Sequence, residues 1–117
     1  VIFLYVDFRL LFLWGWRFFV VLFYMPAYTI TQYTRVQAKR IGVTVKHSTN
    51  PEKKIDVFKD GKKIAAVGAT GYNDYPTYMK KNGKEYADRR RKMYKMRHEK
   101  DRHERWTNGW LADQLLW

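Results

Sequence analysis

The stretch KIDVFKDGKKIAAV, residues 54–67, decides the fold. Two β-prone runs flank Asp60-Gly61, and a two-residue type I′ turn needs φ > 0 at both central positions, which an Asp-Gly pair accepts. The stretch therefore predicts a tight hairpin. In its first strand Ile55 and Val57 point one way and Asp56 and Phe58 the other. In the return strand Ile64 and Ala66 alternate with Ala65 and Val67, and the small alanines leave room for a helix to approach. Upstream, Ile41–Lys46 alternates and is β-branched, so it reads as a strand that completes a three-stranded antiparallel sheet. An exposed sheet edge can take a strand from a neighbour; Lys53, Lys54, Lys59, Lys62 and Lys63 read as charges that guard against such pairing.

Working outward from the hairpin, Thr29 to Lys39 predicts a short helix, with Thr29 or Thr31 as N-cap and Gly42 as its stop. Tyr33, Val36, Gln37 and Arg40 would share a face. Downstream, Gly68-Ala69-Thr70-Gly71 has the glycines of a phosphate loop but no Gly-Lys-Ser/Thr ending and no long helix starting at Gly71. A strand precedes it, where the GxxG clamp of the KH fold needs helices on both sides. It reads as a turn. Asp74 is suited to cap a helix carrying Pro76 in its first turn, and Asn82-Gly83 ends or kinks that helix.

From Lys84 the chain reads as a long basic helix, to about Glu104. Tyr86, Arg90, Met93, Tyr94 and Arg97 fall along one stripe, so one narrow face can bury. Twelve Lys or Arg and five Asp or Glu lie between Lys80 and Arg105. The acids are interspersed, allowing pairs such as Glu85–Arg89 and Asp88–Lys92, which suits a solvated or protein-contacting helix better than a DNA arm. Asn108-Gly109 reads as a turn before a tail, in which Trp110, Leu111, Leu115, Leu116 and Trp117 form a short amphipathic segment. Exposed tryptophans there demand docking, on this domain or on a neighbour.

The net charge of the 117 residues is +12, and mean hydropathy is −0.58. Residues 1–24 contribute only +1, from Arg9 and Arg17 against Asp7, leaving +11 to the remaining 93. That balance favours nucleic acid, an anionic membrane surface or an acidic protein. With no cysteine there is no disulfide, thiolate zinc site or cysteine nucleophile. His98 and His103 sit about 140° apart on a helix, too far round to share a metal. No cofactor, metal or catalytic group is assigned, and the chain is not expected to be an enzyme.

Residues 1–25 form an apolar N-terminal segment ahead of a basic α+β domain over 26–117. The segment is long enough to cross a bilayer, at roughly 20 residues. Asp7, Arg9 and Arg17 bring the cost of insertion close to break-even. Three readings stand: a membrane anchor whose arginines snorkel, an arm buried on a partner protein, or upstream reading frame joined to a chain that starts at Met25. The fold class is α+β: a small antiparallel sheet from the hairpin 54–67 and strand 41–46, then the long basic helix over about 84–104, with an apolar N-terminal extension.

The run KKIDVFKDGKKIAAVGATGYNDYPTYMKKNGKEYADRRRKMYKMRHEKD (53–101), closing with ADQLLW (112–117), resembles a small protein family of large icosahedral double-stranded-DNA viruses of algae and protists. The likeness spans roughly residues 33–117; GYNDYPTY and KEYADRRRKMYKMRHEKD are its specific part, and residues 1–24 depart from the family pattern. The resemblance implies a virion structural protein: a minor capsid protein beneath the major capsid proteins of a chlorovirus-like particle, on the inner face of the capsid. Its partners would be the major capsid protein and other minor capsid proteins, with the viral inner membrane available to residues 1–24. The alternative is a basic nucleic-acid-binding virion protein using Arg89, Arg90, Arg91, Lys92 and Tyr94 on phosphates. The interface residues expected on these readings are Tyr72, Tyr75, Tyr78, Arg89, Arg90, Arg91, Lys92, Tyr94, Trp106, Trp110, Leu116 and Trp117. For the tyrosines two roles compete, a stacking platform for bases and an aromatic core between sheet and helix.

Overall fold

The hairpin forms as its sequence dictates. Asp60 and Gly61 both take positive φ, 52° and 79°, the geometry a type I′ turn requires. They join β2 (Lys53–Lys59) to β3 (Lys62–Ala69), and β1 (Thr44–His47) pairs with the other side of β2, giving the antiparallel order β1-β2-β3. The register sets Val45 against Val57 and Ile55 against Val67, with a bulge between Val57 and Phe58. This computed structural model describes residues 28–117; the apolar segment and its three readings lie outside the described residues.

The strand expected over 41–46 starts later, because Ile41 belongs to the preceding helix. That helix, α1 (Gln32–Ile41), is capped by the Thr31 hydroxyl on the Thr34 N–H, at 3.2 Å. It closes at Gly42, whose φ of 80° lets the Val43 N–H turn back to the Ala38 carbonyl. Its buried residues are Thr34 and Ala38, and Val36, of the face read from the sequence, is exposed.

α2 (Tyr75–Asn82) begins where Asp74 accepts the Thr77 N–H, with Pro76 in the first turn, and ends at Gly83. α3 (Lys84–Arg97) follows at once and is shorter than the basic helix expected to reach Glu104. It stops because the chain must return to α4 (Asn108–Leu116). Asp113 of α4 is buried and takes Lys95 at 2.7 Å and Arg102 at 3.7 Å. On a continuous helix Arg102 would lie about 10 Å further along the axis than Lys95; the broken chain instead brings the Arg102 Nε back to the Lys95 carbonyl. Asn108-Gly109, expected as a turn, is the first turn of α4, capped by Thr107 on the Trp110 N–H.

The core lies between the sheet and the pair α1 and α4. Ile55 and Val57 of the central strand, with Leu111 and Leu115, are fully buried, each worth about 1.5–3 kcal/mol of transfer free energy. Ile30, Ala38, Val43, Val45, Ala65, Val67 and Leu116 complete the cluster. The Thr34 hydroxyl donates to the Leu115 carbonyl at 2.9 Å, satisfying a helix end that would otherwise be orphaned. The tail therefore docks on its own domain. Among the described residues no helix is long and apolar enough to cross a membrane.

Lys54, expected among the edge lysines, is buried, and its ammonium lies on Asp74. On α3 the buried residue is Ala87, flanked by half-buried Arg91 and Tyr94. Met93, on the expected stripe, is exposed. The rotation follows from polar anchors, because Arg91, Lys95 and Asp88 all have partners on one side of the helix. Asp88 pairs with Lys84 and Arg91, not with Lys92.

Candidate functional site

Consecutive helical residues project about 100° apart, so Arg89, Arg90 and Arg91 fan outward. Each lands on a different tyrosine: Arg89 over Tyr86 at 5.5 Å, Arg90 over Tyr78 at 5.2 Å and Arg91 over Tyr75 at 3.7 Å. Both Tyr75 and Tyr78 come from α2, so the arginine run clamps the α2–α3 hairpin through cation–π contacts.

The three arginines then divide by role. Arg91 donates to the Trp117 carbonyl at 3.2 Å and faces Asp88 at 3.7 Å. Asp88 also accepts from the Tyr75 hydroxyl and from Lys84, and the Lys84 and Tyr75 hydrogen bonds hold its carboxyl below the usual carboxylate range. Tyr75 is buried against Tyr33 of α1, and burial, with Asp88, raises its pKa. This is a closed structural network. Neither Arg89 nor Arg90 has a carboxylate within ion-pair distance among the described residues.

Tyr94 and Trp117 stack at 4.3 Å with planes 8° apart, and His98 lies 4.3 Å from Tyr94. Burial, and then Asp113 and Asp101, push the Tyr94 pKa up to about 12, so its hydroxyl keeps its proton at ordinary pH. Trp117 also approaches Tyr78, at 6.2 Å. Beside this wall opens a cleft of about 300 Å³. One side is the end of β3 and the loop after it, through Gly68, Ala69, Tyr72 and Asn73; the other is Arg90, Tyr94, Arg97 and His98 of the α3 face. Tyr78, Ala112, Leu116 and Trp117 close it, with Lys54 at its base. No aspartate or glutamate side chain lines it. Gly68 lets Leu116 in: at φ 85° an added Cβ would stand 2.7 Å from the Leu116 Cδ1.

A shallower groove on another side of α3, about 430 Å³, is lined by Lys84, Lys92, Lys95 and Arg102, with Asp88 and Glu99 among them. Its acids are spent locally. Glu99 takes His103 at 2.9 Å and Arg102 at 2.8 Å, and those hydrogen bonds lower its pKa.

Of the residues singled out from sequence, the fold brings six to the cleft: Tyr72, Tyr78, Arg90, Tyr94, Leu116 and Trp117. Tyr75 and Arg91 are structural, Arg89 caps the Tyr86 ring, and Lys92 lies in the shallower groove. Trp106 and Trp110 pack edge to face at 5.1 Å elsewhere, with Lys59 over Trp106 and Arg105 over both. Asn73, Arg97 and His98 were not among the expected interface residues, although the spacing of Arg90, Tyr94 and Arg97 carried the signal. Comparison with known protein families, curated proteins and solved structures finds no match to this chain.

Proposed function

We propose that this chain is a binding protein of a virus particle, not an enzyme: a minor capsid protein that cements major capsid protein capsomers on the inner side of an icosahedral capsid. The identity of the particle rests on the resemblance carried by GYNDYPTY and KEYADRRRKMYKMRHEKD. The observation that supports a docking role is the cleft itself, walled by Tyr72, Tyr78 and Trp117, opened to Arg90 and Arg97, and free of aspartate and glutamate side chains. On this reading residues 1–24 are available to the inner membrane. The test is cross-linking mass spectrometry on purified particles. The expected result is a fixed copy number, with cross-links from Lys80, Lys81 or Lys92 to the major capsid protein or other minor capsid proteins. Absence of the protein from purified particles overturns the proposal.

A second reading, a basic nucleic-acid-binding virion protein, is favoured by one observation: Tyr72 is 75% exposed and lines the cleft with Arg90 and Arg97, an available face for a base. It predicts DNA affinity that falls steeply with salt. No DNA binding by the purified protein at low salt removes it.

A further inference from the structure

We propose that the cleft receives an acidic peptide segment of a neighbouring protein, with Arg90 and Arg97 taking its carboxylates and Tyr72 covering an adjacent apolar side chain. This deepens the docking role just described by naming the site and the chemistry of its occupant.

Four observations carry it. First, Arg90 lies over the Tyr78 ring at 5.2 Å and Arg97 over Tyr94 at 6.0 Å. A guanidinium held on a ring by its face keeps its N–H edge available, and that planar fork fits a carboxylate in bidentate fashion. Second, neither arginine has an aspartate or glutamate partner among the described residues, and no aspartate or glutamate side chain lines the cleft. The missing counter-charge is the complement a partner would bring. Third, the aromatic faces are largely occupied from within. Tyr94 stacks on Trp117 and lies close to His98, and Tyr78 carries Arg90. Successive bases of a single strand each need a free aromatic face, and Tyr72 is the one ring of this wall that is largely exposed. Fourth, a volume of about 300 Å³ admits one or two side chains. These features favour a peptide carboxylate over a nucleic-acid strand.

The experiment uses the full chain and fluorescence anisotropy with three labelled probes: a short peptide of alternating Glu and Phe, its Lys and Phe counterpart, and an oligothymidylate of charge equal to the acidic peptide. The acidic peptide is expected to bind, with Arg90→Gln and Arg97→Gln each weakening it about tenfold. Arg89→Gln removes the same charge from a position outside the cleft and should leave binding within about twofold. Circular dichroism establishes that each variant is folded, and Arg90→Lys tests whether the planar fork is needed. The proposal is overturned if Arg89→Gln weakens binding as much as Arg90→Gln, since bulk charge alone would then explain it. Tighter binding of the oligothymidylate, or equal binding of the Lys and Phe peptide, also overturns it. Its failure is separable from failure of the capsid reading: a protein present in particles whose cleft ignores acidic peptides docks through another surface, whereas absence from particles leaves the cleft chemistry standing.

Discussion

The ammonium of Lys54 lies 3.2 Å from the carboxylate of Asp74, and their side chains are only 5% and 1% exposed. Lys54 sits in the central strand, between the Lys53–Ala69 and Ile55–Val67 pairs; Asp74 is the N-cap of α2. The same carboxylate accepts the Tyr28 hydroxyl at 2.6 Å and the Thr77 hydroxyl at 2.6 Å. One buried anion thus ties the sheet, the start of α2 and the segment before α1. Removing one partner of such a pair strands the other charge, at about 3–5 kcal/mol. Lys54→Met and Asp74→Asn are each expected to lose stability of that order in urea melts of the full chain. Asn remains a good N-cap, so the Asp74→Asn loss reports the charge rather than the helix start. The double variant should recover at least about 1 kcal/mol relative to the sum of the singles. Strict additivity would show that the two groups are not coupled.

Asp56 makes acid stability depend on pH in a defined direction. Burial alone would raise its pKa, but the Ser48 hydroxyl at 2.7 Å, the Thr49 N–H at 3.2 Å and Lys63 at 3.3 Å outweigh it and hold the carboxyl below the usual range. A depressed folded pKa contributes stability that is complete above the unfolded value, about 3.9, and is lost as pH falls through the lower folded value. Asp56→Asn should therefore be less stable than wild type at neutral pH, with the gap narrowing below about pH 4. Urea melts at neutral and acid pH test this. An unchanged gap would assign the loss to packing.

Gly68 and Gly109 are required by close approach, and Gly42 by conformation alone. At Gly109 an added Cβ would overlap the Asp101 carbonyl, backbone that cannot swing aside. At Gly68 it would press on Leu116 and Lys54 while φ is 85°. At Gly42, with φ 80°, it would meet nothing within 4 Å. Gly42→Ala should cost only the left-handed strain, about 1–2 kcal/mol. Gly109→Ala and Gly68→Ala should each cost more than Gly42→Ala, with Gly109→Ala also releasing the turn after α3. Hydrogen exchange over residues 98–107 would locate that release; protection there matching wild type would contradict the steric account.

The features legible in the sequence are those decided by a few neighbouring residues. Asp60-Gly61, the Thr31 and Asp74 caps, and the Gly42 and Gly83 stops each rest on chemistry within four positions of the site. The features that escaped it depend on distant partners. The end of α3 at Arg97 is set by Asp113, 18 residues beyond Lys95, and by the glycine at 109 that leaves room for the Asp101 carbonyl. The burial of Lys54 depends on Asp74, 20 residues away. The cleft was visible as a list of arginines and tyrosines, but not the way Tyr94 meets Trp117, and so the assignment of Arg91 to structure and Arg90 to the opening came only from the fold.

The Tyr94–Trp117 stack makes its own prediction in alkali. Tyr94 is half-buried, near the buried Asp113 carboxylate and Asp101, and its pKa stands at about 12. Burial disfavours the phenolate because it must be charged in a poorly hydrated place, and the two carboxylates repel it further. A raised folded pKa contributes stability that is fully present below the unfolded value, about 10, and is lost as pH rises through the folded one. The chain should therefore destabilise between about pH 10 and pH 12, in part through Tyr94. Tyr94→Phe keeps the ring and its stack on Trp117 but has no proton to lose. Its neutral-pH stability should lie within about 0.5 kcal/mol of wild type, its alkaline decline should be shallower, and absorbance titration should show one fewer late-ionising tyrosine. Trp117→Ala, by contrast, removes the covering ring and should move the Tyr94 ionisation down toward the ordinary value. An alkaline limb identical in wild type and Tyr94→Phe would mean that this hydroxyl is already free to ionise, and that the stack does not shield it from water.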